Sequence, residues 1–122
     1  MSVVGKHSIR FISSGDLQHL IEFKYGFQVS FPANGNQIFH CGQRLQIEVD
    51  FKSVPSKVVF FINGIQQKNY VTGIPVKIRF FAFVQQAGSS FHITRSERLR
   101  QSSVRIDADS IAWKWGEYWK RN

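Results

Sequence analysis

Between Leu45 and Val84 three apolar runs are separated by turn residues, and the rest of the chain is organised around them. Leu45-Gln46-Ile47-Glu48-Val49-Asp50-Phe51 alternates apolar and polar positions, the pattern of a strand with one buried and one solvated face. Val58-Val59-Phe60-Phe61-Ile62 is continuously apolar. Val76 to Val84 places Val76, Ile78, Phe80, Ala82 and Val84 on one side, and Lys77, Arg79, Phe81 and Phe83 on the other. Pro55 marks the link between the first two runs. Asn63-Gly64 follows the second, and both residues tolerate positive φ, so a tight hairpin is expected there. Three antiparallel strands in series follow from this pattern.

The flanking segments read as shorter strands. His7 to Ile12 predicts a first strand, closed by the turn Ser13-Ser14-Gly15-Asp16. Leu17 to Phe27 mixes helical and strand spacing, and Gly26 favours a strand. Val29-Ser30-Phe31 continues it as far as Pro32, whose ring removes a ladder donor. Tyr70-Val71-Thr72 is a brief extended piece ended by Gly73-Ile74-Pro75, and Phe91-His92-Ile93-Thr94 is a final strand. Many short strands with frequent turns imply an all-β chain, an antiparallel sandwich of jelly-roll or concanavalin-like form. The composition changes at Arg95. Residues 1–94 are expected to form the β-sandwich domain, and 95–122 a polar link with a Trp-rich C-terminal segment.

In that segment Asp109 is placed to cap a short helix carrying Ile111, Trp115, Tyr118 and Trp119 along one face, although Gly116 opposes it. Trp113, Trp115, Tyr118 and Trp119 are too many aromatics to leave in water. The segment either folds back over the sheet, covering Phe81 and Phe83, or serves as a docking element. Folding back is the expectation.

The central stretch resembles the C-terminal half of a SPRY (B30.2-like) domain over residues 40–94. The matching pieces are Cys41-Gly42-Gln43-Arg44 leading into the strand that ends at Asp50, then Val59-Phe60-Phe61-Ile62-Asn63-Gly64. The Gly73-Ile74-Pro75 turn and the aromatic strand Ile78 to Phe83 complete the likeness. Gln43 stands where the family has an acidic residue, and the Trp-containing strands of its first half have no counterpart. Two readings remain, a reduced, divergent member or a piece of a longer protein. The resemblance implies a non-catalytic module that holds a partner protein or peptide with the loops at one end of a sandwich.

Composition narrows the chemistry. A chain of 122 residues suits one domain with an apolar core, to which twelve Phe contribute. One Cys forms no internal disulfide, which together with the absence of a signal-like N-terminus and of a sequon points to an intracellular, cytoplasmic protein. No run approaches the roughly 18 apolar residues of a membrane span. Residues 1–93 hold nine Lys/Arg and four acids, and 94–122 hold seven and four, so the net charge of +8 is spread along the chain. Such spreading gives a basic protein with weak attraction to polyanions.

Catalytic patterns are missing. Gly88-Ser89-Ser90 lacks the second glycine of a nucleophile elbow, and no Walker or dinucleotide loop implies a cofactor. On a strand, His40 and Cys41 point to opposite faces, which suits a buried structural Cys better than a metal pair. Glu48 and Asp50 read as a solvated face. The binding candidates are Lys77, Arg79, Phe81, Phe83, Gln85 and Gln86, an aromatic surface flanked by cations, with burial against the opposite sheet or the Trp-rich tail as the alternative. A carbohydrate- or nucleic-acid-binding sandwich is the second functional reading.

Overall fold

The computed structural model describes residues 7–23, 26–29, 32–80, 93, 96–99, 104–117 and 119, with the backbone alone for His7, 20–23 and 26–29. The strands are β1 His7–Phe11, β2 Leu17–Phe23, β3 Gly26–Val29, β4 Leu45–Asp50, β5 Lys57–Ile62, β6 Ile65–Gln66, β7 Asn69–Thr72 and β8 Ile111–Lys114. No helix occurs among the described residues, and the chain is all-β. One sheet has the order β1-β2-β3, the other β4-β5-β7-β8 with β6 paired to β5. Every pairing described is antiparallel except β7–β8, which is parallel.

β5 carries the architecture. Its run of consecutive apolar residues leaves it no solvent face, and Val58 to Ile62 are all buried. On one side Val58 and Phe60 share a core with Leu17, Ala33, Val71, Ile74 and Trp119, so both sheets contribute to it. Phe11 of β1 meets Phe60 with ring centroids 5.1 Å apart, and Phe39 stacks on Phe11 at 5.0 Å. On the other side Val59, Phe61 and Tyr70 form a second cluster, with Val104 packed against it. Each such fully buried side chain contributes about 1.5–3 kcal/mol of transfer free energy.

Three expectations are corrected. Residues 76–80 form no strand, and Val76 and Phe80, expected to face the core, are 85% and 64% exposed; only Ile78 packs inward. The edge of β5 that would have received them is taken by the hairpin strand β6 and by β7. Phe91-His92-Ile93-Thr94 lies outside the described residues apart from Ile93, which is exposed and outside any strand. In the Trp-rich segment a strand replaces the expected helix. Asp107 Oδ1 accepts from Asp109 N at 2.9 Å, closing a tight turn, and Ile111 N then donates to Lys68 O and Trp115 N to Thr72 O. The free edge of β7 offers a full ladder of backbone partners, which outweighs a helical start weakened by Gly116.

That segment is folded back against the core that the two sheets share. Trp119 is 3% exposed within the shared core, and Trp113 and Trp115 pack against the same cluster. Phe81 and Phe83, the expected acceptors, lie outside the described residues, as does Tyr118. Trp119→Ala should therefore cost about 3–5 kcal/mol, read from the urea midpoint. Deleting residues 109–122 should lower the melting temperature as well; an unchanged melt would contradict the packing described.

The Asn63-Gly64 turn is as expected, with φ of 49° and 81°, and it joins Ile62 to Ile65. A Cβ at Gly64 would meet nothing within 4 Å, so Gly64→Val costs only backbone strain, about 1–3 kcal/mol. Gly15 differs: at φ 89° a Cβ would also lie 2.3 Å from the Asn36 carbonyl oxygen. Gly15→Ala, the smaller change, should therefore destabilise more than Gly64→Val in the same denaturation series.

Candidate functional site

Lys77 and Arg79 are exposed, as a binding role requires, but they sit on the irregular segment after Pro75 and not on a sheet face. Phe80, next to Arg79, is exposed as well. Phe81, Phe83, Gln85 and Gln86 lie outside the described residues. The alternation expected for 76–84 thus does not organise a surface in the described part.

A more ordered surface lies at the Asn63-Gly64 end of the second sheet. The registers Leu45↔Ile62 and Ile62↔Ile65 set three side chains in a row across β4, β5 and β6. Ile62 in the middle is fully buried, while Leu45 and Ile65 are 46% and 58% exposed. Ile47, two residues along on the same face of β4, is also exposed. Alternation correctly gives Leu45, Ile47 and Val49 one face, yet of the three only Val49 packs against the core.

The opposite face of β4 is polar at this end. Gly42, Arg44, Gln46, Asn63 and Gly64 line a shallow, open depression. Its rim is fixed by the turn: Asn63 Oδ1 accepts from Arg44 N at 2.9 Å, and Asn63 N donates to Arg44 O at 2.8 Å. Gln43 Oε1 accepts from His40 N at 2.6 Å and closes the neighbouring loop. Cys41 at its tip is exposed, contrary to the buried role expected for it, since the 40–43 turn projects from the sheet. Glu48 is also corrected: it is 7% exposed, buried on the face that carries Val59 and Phe61, because that face too is covered. Asp50 is a turn-former, accepting from Lys52 N and Ser53 N. Among the described residues no three His, Cys, Asp or Glu side chains are grouped as a metal site would need.

Two buried polar residues, His19 and Asn69, are not distinguished by any sequence pattern. His19 is fully buried between Trp115 and Trp119, with ring centroids 5.1 Å away in each case. Its Nδ1 lies 3.0 Å from Ser8 O and its Nε2 accepts from Gly116 N at 2.9 Å. A carbonyl on Nδ1 and a donor on Nε2 define the neutral ring protonated at Nδ1. Asn69 is a fully buried junction. Its backbone N and Nδ2 donate to Asn36 Oδ1, Nδ2 also donates to Asn34 O, and Oδ1 accepts from Trp113 Nε1 at 2.9 Å. Both residues join the C-terminal segment to the body of the fold. Asn69→Leu should cost about 2–4 kcal/mol in chemical denaturation, because Trp113 Nε1 and the Asn34 carbonyl lose their partner together.

No family model, no curated protein and no solved structure matches this chain. No helix of the described residues is long and apolar enough to cross a membrane.

Proposed function

We propose that the chain is a non-catalytic protein-interaction module of SPRY-like, jelly-roll type, acting inside the cell and seating a segment of a partner protein on the Leu45–Ile47–Ile65 face. The observation that carries this reading is the row Leu45, Ile62, Ile65, in which exposed apolar side chains flank a fully buried one on a hydrogen-bonded, rigid support. Apolar side chains held on a sheet lose little conformational entropy on binding, which favours them as anchors. The strand–Asn-Gly–strand hairpin that carries the SPRY resemblance is the same hairpin that presents Ile65.

The test is a purified partner, recovered on the immobilised protein, identified by mass and then titrated against wild type and Ile65→Asp. The variant should weaken binding at least tenfold, about 1.4 kcal/mol, with an unchanged melting temperature. Ile65 is already more than half exposed, so its replacement tests the surface and spares the core. Affinity only for polyanions, falling steeply with salt, would replace this reading with nucleic-acid binding through the dispersed Lys and Arg residues. Turnover of a small substrate would refute it outright.

A further inference from the structure

The face described above belongs to a strand that also ends its sheet, since among the described residues β4 has β5 on one side and no strand on the other. We propose that the outer edge of β4 is a self-association surface, on which a second copy of this chain pairs its own β4 antiparallel about a two-fold axis through Ile47. This goes beyond the partner-binding reading, because it uses the backbone edge of β4 and leaves Ile65 uninvolved.

The backbone phase of β4 makes the pairing possible. Arg44 exchanges both its bonds with Asn63, through Asn63 Oδ1 and Asn63 N, and this continues the register Leu45↔Ile62 by one residue. Residues alternate in the direction of their backbone groups, so Arg44, Gln46, Glu48 and Asp50 bond toward β5. Leu45, Ile47 and Val49 therefore turn their N–H and C=O groups to the outer edge. A two-fold axis at Ile47 sets Ile47 against Ile47 of the second copy and Leu45 against Val49, so that outward groups meet outward groups. The ladder then contains about six hydrogen bonds.

The side chains agree with this register. The apolar members Leu45, Ile47 and Val49 meet one another on one face, and Leu45 and Ile47 are exposed in the single chain. On the other face Arg44 falls opposite Asp50, once at each end of the ladder, and opposite charges in facing positions stabilise a strand pair. Moving the axis by half a residue, a register slip of one, would direct outward groups of one copy at inward groups of the other. Moving it by a whole residue, a register slip of two, breaks both Arg44–Asp50 pairings. No Lys or Pro, two of the residues that blunt free strand edges, interrupts residues 45–50.

Light scattering and sedimentation velocity from micromolar to millimolar concentration test the proposal, with hydrogen exchange on the same samples. The expected result is a doubling of mass with concentration. Ile47→Lys, which sets two like charges directly opposite each other at an already exposed position, should remain monomeric with a wild-type melt. Arg44→Asp should also remain monomeric, and combining it with Asp50→Arg should restore association. In wild type, the Leu45, Ile47 and Val49 amides should gain protection on association, while the Gln46 amide is protected throughout. A chain that stays monomeric across the range overturns the proposal. So does a dimer in which those three amides remain unprotected, a readout that needs no variant to fold.

Discussion

A strand with no solvent face constrains everything around it. β5 buries side chains in both directions, so the chain has to supply a layer on each side before the strand is stable. The first sheet supplies one layer through Phe11 and Leu17, helped by Ala33 and Trp119. Val104 belongs to the other. The same requirement explains why Glu48, polar and on an alternating strand, ends up buried: its face is the one that Val59 and Phe61 need covered.

Two polar side chains taken into this interior are held by directional bonds. His19 and Asn69 are both fully buried, and each holds the C-terminal segment by a hydrogen bond as well as by contact. The aromatic rings of Trp115 and Trp119 supply area around His19, while the bonds donated by Gly116 N and Trp113 Nε1 fix register. Apolar packing alone leaves the sliding of β8 along β7 weakly specified, and directional bonds remove that freedom. Gln67 does the same for the loop after β3, accepting from Gln37 N and donating to Ile65 O.

The cover is uneven along β4, and the candidate surface is the consequence. Val49 packs against the shared core, while Leu45 and Ile47, toward the hairpin end, are exposed. Their exposure is a matter of position, not of residue type, since Ile62 beside Leu45 in the same row is fully buried. Leu45 and Ile47 can serve a ligand face through their side chains and a pairing edge through their backbones, because the two functions use perpendicular directions of one strand.

Local chemistry determined the all-β character, most of the strands and the Asn63-Gly64 hairpin. Continuous β-branched and aromatic residues favour extended backbone, and positive φ is open to few residues besides Asn and Gly, so these features need no distant partner. The tertiary structure alone decided the rest. Whether Ile111–Lys114 became helix or strand depended on a vacant edge on β7, some forty residues earlier in the chain. Whether Leu45 was buried depended on its position in the sheet, and whether His19 mattered depended on the return of Trp115 and Trp119. Periodicity states which residues share a face. What lies against that face is set by contacts between segments far apart in sequence, where local spacing carries no signal.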